Sequence, residues 1–377
     1  MANNENTAVI DNQNEDSWSD IDESLLVQCD DNENSDPSVI NKETSHLKDP
    51  LKVEEEETPL EQFCKHGYLC VTDLTQQVWC EQHLCYTMMG MEPPLPSPLD
   101  QVPPPLPTAD RPEVKAGKSV HLARELEVHN VVSVKISSRA DKWGLHTLNL
   151  LSTIRGFLSG IRVAREVPIF GDPFGTGDLF FGIVDELRFD ADSYSLGLVE
   201  LKTRKTQRMP GKAQKKQHSL QVLIYKQLWD NLVRGNFSTD FFLKKLNLTA
   251  SADQPLSEGV LQHIDSSGVP ASSLRQLLTQ LTTSVQALVC ISSVEIEYVL
   301  QETGSVIGRT SVREDFDWLW RMFGHCMDFW HGRRGVEGVA IEEAWKCGGC
   351  EFSPVCEWRM KKSRVLSAQN RCSDKEL

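Results

Sequence analysis

A change of hydrophobic period near residue 165 constrains the fold of this chain more than any other feature. Upstream, apolar residues in 117–130 and 146–160 recur at helical spacing, whereas REVPIF, DLFFGIVDELRF and SLGLVELKT are short runs separated by Gly and Asp turns. The three runs predict adjacent strands, and amphipathic helices are expected over 219–235, 272–289 and 312–334. The sequence therefore predicts an α/β (α+β) fold with a central mixed sheet flanked by helices.

The charge of the chain is concentrated near its N-terminus. The formal net charge is −15, but residues 1–58 carry 17 Asp and Glu against 3 Lys, whereas the remainder has 37 acids against 36 Lys and Arg. Such an acidic segment with few aromatic residues is predicted to be disordered. The sequence leaves open whether this tail only keeps the chain soluble or also regulates it.

The composition divides the chain into five parts. A disordered acidic tail (1–58) precedes the N-terminal part of a cysteine clasp (59–92), a Pro-rich linker (93–112), a globular core (113–335) and a C-terminal cysteine cluster with its tail (336–377). There is no apolar run of about 18 residues and no secretory or mitochondrial targeting pattern, so no membrane association is expected. The nucleus is the expected location, with the cytosol and the mitochondrion left open.

Two of the predicted strands carry residues with the chemistry of a metal-dependent hydrolase. Asp185 is predicted at or near the end of one strand, and Glu200 and Lys202 share a face of the next because side chains alternate along a strand. If the strands pair, the carboxylates meet at one site, where oxygen ligands favour Mg²⁺ or Mn²⁺. Lys202 would activate water or stabilise charge on a phosphate. Since Glu and Lys two residues apart are also common on a solvated strand, the assignment depends on neighbouring features.

One such feature is the basic segment that follows. Residues 201–226 contain eight Lys or Arg and no acid, which is typical of a surface that binds a phosphate backbone. Gln221 and Tyr225 lie four residues apart on one helical face and are expected to point at the nucleic acid or at Lys202. The predicted DNA contacts are Arg204, Lys205, Lys212, Lys215, Lys216, Gln221 and Tyr225.

Upstream, His121 is a candidate for an additional metal ligand. It occupies the predicted helix 117–130, with Gly117 and Glu125 four residues to either side. A single histidine on a helix is more often structural, so the sequence alone leaves its role open.

The cysteines predict a second, structural centre. Cys347, Cys350 and Cys356 form a C-x2-C-x5-C run, which indicates thiolate ligation in a reducing compartment. Cys80 is the preferred fourth ligand, with Cys85 and Cys70 as alternatives, and the spacing favours a 4Fe–4S cluster only slightly over zinc. Closing the about 266 residues between Cys80 and Cys347 costs about 5 kcal/mol, less than the roughly 10 to 16 kcal/mol from a structural metal. The remaining thiols, interpreted as packing or exposed, are Cys29, Cys64, Cys290, Cys326 and Cys372.

In this order the motifs resemble those of the exonuclease V family, RecB-like members of the PD-(D/E)XK nucleases. The match runs over about residues 67–358, through VWCEQHLCY, GKSVHLARE, GIVDEL, VELKTR, QVLIY and the cysteine run. The resemblance implies a PD-(D/E)XK nuclease core and a 4Fe–4S cluster that clasps the N- and C-terminal parts. The residue roles it implies are metal ligation by His121, Asp185 and Glu200, catalysis by Lys202, and cluster ligation by Cys80, Cys347, Cys350 and Cys356.

The resemblance also implies an activity, namely metal-dependent exonucleolysis of single-stranded DNA in genome maintenance, including repair of interstrand crosslinks. The expected partners are single-stranded DNA and a single-strand-binding protein, and the expected state is a monomer. Two alternatives come from other classes: a catalytically silent iron–sulfur DNA-binding protein, and a zinc-stapled interaction protein without a nucleic-acid role. Cleavage polarity, product length and activity on RNA are left open.

Overall fold

The computed structural model describes residues 6–10, 57–94, 112–127 and 130–373. The strands are β1 (Asn6–Ile10), β2 (Leu69–Cys70), β3 (Asn130–Val134), β4 (Val163–Gly171), β5 (Phe180–Asp190), β6 (Ser195–Arg204), β7 (Ile291–Leu300) and β8 (Val306–Ser311). The helices are α1 (Pro59–Phe63), α2 (Val71–Met88), α3 (Pro112–Glu125), α4 (Arg139–Leu158), α5 (Lys212–Val233), α6 (Thr239–Lys245), α7 (Glu258–Ser266), α8 (Leu274–Val285), α9 (Phe316–Trp330) and α10 (Glu357–Ser373), with a 3₁₀ segment at Ile341–Gly349.

Six of the strands form one mixed sheet. β5 pairs antiparallel with β4 along one edge, and its other edge pairs with β6 and, at its first two residues, with β2. β6 runs parallel to β7, and β7 turns back antiparallel into β8, which confirms the predicted hairpin across Glu302 to Gly304. Helices pack against this sheet, so the predicted central mixed sheet flanked by helices is confirmed.

β5 and β6 separate in the middle of β5. Their ladder covers five residue pairs and ends at Glu186 and Val199. Asp185 and Glu200 are the first residues beyond it, and the Asp185 carboxylate accepts a hydrogen bond from the Leu201 amide, Oδ2 to N, at 2.6 Å. The prediction that Asp185 lies at or near a strand end was wrong, because β5 continues on both sides of it and only the pairing with β6 ends there.

The sheet approaches α5 closely at one glycine. A Cβ atom on Gly182 would lie 2.5 Å from the Tyr225 ring and 3.2 Å from the Val71 side chain, so only glycine fits between β5 and the two helices that cover it. Further along β5, Phe181 packs edge-on against the buried Trp143 of α4. These contacts hold the central strand between α2, α4 and α5.

Two predicted segments lie mostly outside the described residues. Asn6–Ile10 form β1, paired parallel with β3, inside the segment predicted to be disordered, and residues 11–56 lie outside the description, so that prediction stays open. The same holds for residues 95–111 of the Pro-rich linker. None of the helices in the described parts is both long and apolar enough to cross a membrane.

Candidate active site and cysteine cavity

Three potential ligand side chains converge where β5 and β6 separate. His121 of α3, Glu166 of β4 and Asp185 of β5 each offer a ligand atom within 4.8 Å of the others. His121 Nδ1 lies 3.4 Å from Glu166 Oε1 and 3.7 Å from Asp185 Oδ1. Each side chain is about 15% exposed, at 16%, 17% and 14%, so the cluster is sheltered but open to solvent.

Glu166 is the member of this cluster that the sequence did not reveal. It lies across from Asp185 in the β4–β5 register, between the pairs at 165/186 and 167/184. Its φ is +49°, a left-handed conformation that is uncommon for a residue other than glycine and that marks many functional sites. An available signal was the charged residue in the apolar run REVPIF, but its importance depends on a register that the sequence does not give.

Glu200 and Lys202 lie on β6 beside this cluster. Lys202 Nζ donates to Glu200 Oε1 at 2.9 Å, so the two side chains share a face of the strand as predicted. Glu200 is 1% exposed and is outside the group whose ligand atoms lie within 4.8 Å of one another. Tyr298 of β7 lies opposite Lys202; burial raises the pKa of this phenol to about 12, so it is protonated near neutral pH.

Glu125 adds a further acid to the site. It lies one helical turn after His121 and is buried. Burial, and then the nearby Glu166 carboxylate, raise the pKa of Glu125 to about 7, whereas His121 lowers it. The site therefore concentrates acidic groups from a helix and two strands, which is the environment a cation stabilises.

Ion pairs attach α3 to the sheet. Arg124 Nη2 lies 2.6 Å from Glu297 Oε1 on β7, and Glu297 has a side chain only 2% exposed. Arg165 of β4 donates to the Arg124 carbonyl and pairs with Glu127 at 2.8 Å, just beyond the end of α3. The position of His121 over the strands therefore depends on charged contacts.

The prediction that Gln221 and Tyr225 contact DNA is corrected by their burial. Tyr225 is 0% exposed and Gln221 5% exposed, and Gln221 Nε2 donates to the Tyr225 hydroxyl at 3.1 Å. The face of α5 that carries both residues is the face packed on β5 at Gly182, so their role in this structure is to support the strand beneath the site.

The predicted basic surface extends from the end of β6 into α5. Lys205, Lys212 and Lys216 are exposed, and Arg204 and Lys215 are half-buried. Arg204 follows Lys202 on β6 and donates to the Gln214 side chain at 3.4 Å. The basic segment thus begins two residues beyond the carboxylate site.

The four predicted cluster cysteines line a single cavity of about 390 Å³. Its walls include Trp79, Tyr86, Trp345 and Phe352, so the cavity is largely apolar. Burial raises the pKa of the Cys80 thiol to about 11, and the thiols that line the cavity with it raise it further. The four cysteines in question are Cys80, Cys347, Cys350 and Cys356.

The backbone distinguishes Cys80 from its alternatives. α2 breaks its helical conformation at Cys80, with φ −164° and ψ 106°, whereas Cys85 and Cys70 are buried in the hydrophobic core and do not line the cavity. The next residue, Glu81, forms a bidentate pair with Arg334, with both distances at 2.7 Å. The break in α2 is therefore anchored on both sides.

Comparison with known proteins assigns the family. A sequence model described as exonuclease V, a 5′ deoxyribonuclease, matches residues 58–197, 190–276 and 268–359. Exonuclease V of Danio rerio is 35% identical over 322 residues, which cover 85% of this chain and 77% of that protein. The chain belongs to the exonuclease V family. As a member it is a DNA exonuclease, which excludes the silent DNA-binding protein and the zinc-stapled interaction protein as descriptions of it.

A more distant likeness involves a solved structure. The crystal structure of SSO0001 covers 80% of this exonuclease V family member and 93% of its own chain, with a TM-score of 0.36 and 14% sequence identity. A likeness of this size carries no information about individual residues.

Proposed function

We propose that this exonuclease V family member hydrolyses single-stranded DNA with a divalent metal held at the junction of β5 and β6. The observation that carries the proposal is the convergence of His121, Glu166 and Asp185 within 4.8 Å. Beside them lies the Lys202 ammonium, paired with Glu200, at the start of the basic segment. Acidic ligands, a cation and a phosphate-binding surface in one place are what phosphodiester hydrolysis requires.

The ligand set fits a hard divalent cation. Asp185 and Glu166 supply carboxylate oxygens and His121 an imidazole nitrogen, a combination suited to Mg²⁺ or Mn²⁺. Glu200 is proposed as a further ligand from the adjacent strand. When bound, the metal would polarise the scissile phosphate and lower the pKa of an attacking water.

The side chains of the protein orient the reaction. The Leu201 amide fixes one oxygen of Asp185 and leaves the other toward His121. Glu200 holds Lys202 at 2.9 Å, so the ammonium is positioned to donate to a phosphate oxygen or to the attacking water. Removing Lys202 should lower the rate by about 10²- to 10⁴-fold if it takes part in proton transfer.

The cysteine cavity is proposed to hold a 4Fe–4S cluster on Cys80, Cys347, Cys350 and Cys356. Tetrahedral zinc would bring four sulfurs to about 3.8 Å of one another, given Zn–S bonds of about 2.3 Å. Across the described residues, no three of these sulfurs lie within 4.8 Å of one another. A cavity of about 390 Å³ with widely spaced thiols suits a cluster better than a single ion.

The biological setting follows from the family. The family description is of a 5′ deoxyribonuclease, so we infer that digestion begins at 5′ ends. A monomer that acts on single strands in the nucleus during DNA repair, including interstrand crosslink repair, fits a substrate exposed by damage and covered by single-strand-binding protein.

The test compares Asp185→Asn with Asp190→Asn, the same substitution on the same strand. Digestion of 5′-labelled and 3′-labelled single strands is followed with Mg²⁺ and with Mn²⁺. Because a metal contributes several kcal/mol to the transition state, Asp185→Asn should lose about 10³-fold or more of the rate. Asp190 is exposed in the β5–β6 turn, so its variant should digest at the wild-type rate. Equal digestion by Asp185→Asn and wild type would reject the metal site, and release from 3′ ends would reject the inferred polarity.

A further inference from the structure

The C-terminal helix α10 is a second strongly basic segment. Residues 358–373 contain five Lys or Arg and no acid. The side chains at 359–365 are exposed, and they include Arg359, Lys361, Lys362 and Arg364. Because residues 59–377 as a whole are almost neutral, such a concentration is not a general property of the surface.

The position of α10 follows from the packing of α2 on α5. At one end of this pair, Val71 of α2 and Tyr225 of α5 both contact the position of a Cβ on Gly182. The start of α2 therefore lies beside the second half of α5.

The other end brings the basic segment and the cysteine cavity together. Gln77 of α2 donates to the Cys326 carbonyl at 3.1 Å, and although burial raises the pKa of the Cys326 thiol to about 12, Lys216 is near enough to oppose that rise. Gln77 therefore lies close to Lys216, and the two helices are antiparallel. It follows that Cys80 lies toward the Lys212 end of α5.

α10 starts at this same end. Its Glu357 amide donates to the hydroxyl of Tyr86, on the last turn of α2, at 3.0 Å. Arg359 Nη1 donates to the Ser353 carbonyl at 3.1 Å, and Lys362 Nζ lies 6.0 Å from the Trp358 ring. The basic helix thus begins at the cysteine cavity, on the side of the molecule where the basic segment of α5 begins.

We propose that α10 is a second contact surface for the phosphate backbone of the DNA substrate, continuing the basic surface of Lys212, Lys215 and Lys216 across the cysteine cavity. DNA is the favoured occupant because it is the polyanion on which this family acts. The competing occupant is the acidic segment 1–58 of the same chain. The proposal rests on the DNA exonuclease activity of the family and not on the metal site proposed above.

The test measures binding of single-stranded DNA to the full-length protein without added divalent metal, so it does not depend on the metal site. The strands are about 10 nucleotides long, near the size of one binding surface, and about four times longer. The variant is K361Q/K362Q, since Gln keeps helix propensity. The matched control is K244Q/K245Q, two adjacent exposed lysines on α6.

The expected result is a loss of long-strand affinity of about 10-fold near physiological salt, with the dependence of log K on log salt falling by about 1.4, or roughly 0.7 per phosphate contact. The preference for the long strand over the short strand should shrink accordingly, and K244Q/K245Q should keep both wild-type values. An unchanged salt dependence in K361Q/K362Q, or an equal change in both variants, would overturn the proposal. A gain in affinity in K361Q/K362Q would overturn it in favour of the acidic segment as occupant.

Discussion

The carboxylate site draws Glu166, Asp185 and Glu200 from three strands that follow one another in sequence, whereas the cysteine cavity draws Cys80 and Cys347 from opposite parts of the chain. In the first region a ladder of backbone hydrogen bonds fixes the separation of the side chains. In the second, the walls come from the broken helix α2, the 3₁₀ segment and the turn before α10.

The difference lies in what holds each region when its inorganic partner is removed. The sheet keeps its register without a metal, because the ladder is independent of the site. The cysteine region depends on a few long-range contacts, such as Lys346 Nζ to the Trp79 carbonyl at 3.0 Å and the Arg334–Glu81 pair at 2.7 Å. We therefore expect loss of the cluster to loosen its region, and loss of the metal to leave the sheet intact.

The largest predicted effect is the loss of the cluster in Cys80→Ser. A structural metal centre supplies roughly 10 kcal/mol or more, so the variant should lose most of its iron and its broad absorbance near about 400 nm, and residues 336–373 should become sensitive to protease. The matched control is Cys85→Ser, five residues along the same helix but outside the cavity. Loss of iron in Cys85→Ser with retention in Cys80→Ser would reverse the ligand assignment.

The predictability of the fold differs between the same two regions. Strands β4, β5 and β6 and helices α4, α5, α8 and α9 were predicted because their apolar periods are continuous. α2 was not predicted, because its buried residues include Asp73, Gln77 and Glu81, whose burial depends on partners from α9 and the segment after it. Periodicity reports only the apolar part of a buried face.

The site was predictable as far as local geometry reaches. Glu200 and Lys202 follow from alternation on one strand, and Asp185 from the neighbouring strand. Glu166 required the β4–β5 register and a left-handed residue, neither of which leaves a sequence signal. Cys80 could not be separated from Cys85 by spacing, because the break in α2 decides which thiol reaches the cavity.

A smaller effect is expected from the ion pair that positions His121. In Arg124→Gln, α3 loses its contact with Glu297, so the Mg²⁺ concentration for half-maximal activity should rise about 10-fold, as for other supports of metal ligands. The control is Arg309→Gln, which removes the other partner of Glu297 from within the sheet, where Arg309 Nη2 lies at 2.6 Å. Equal shifts in the two variants would show that the buried Glu297 matters for stability alone and that α3 is held in another way.

A further test targets the support beneath the carboxylate site. Gly182→Ala places a methyl group 2.5 Å from the Tyr225 ring, and such overpacking should cost about 1–3 kcal/mol of unfolding free energy. Gly324→Ala, in α9, meets nothing within 4 Å and should be neutral or stabilising by up to about 1 kcal/mol. Chemical denaturation measures both. If Gly182→Ala is as stable as wild type, the close approach of α5 to β5 is not what supports the strand.

The smallest effect concerns the sheet side of the comparison and its response to acid. His146 of α4 packs against Phe181 of β5 with ring centroids 4.8 Å apart; burial, and then the charge of Lys142, lower the pKa of His146 to about 3. The folded state therefore prefers neutral His146, whereas the unfolded state binds a proton below about pH 6.5. Stability should be complete above that pH and fall as the pH drops toward 3, by up to about 1.4 kcal/mol per pH unit. His146→Leu removes the proton uptake, so its unfolding free energy should fall less steeply between pH 6.5 and 4.5. Parallel curves for the two proteins would assign the acid sensitivity to other groups and leave the sheet without this weak point.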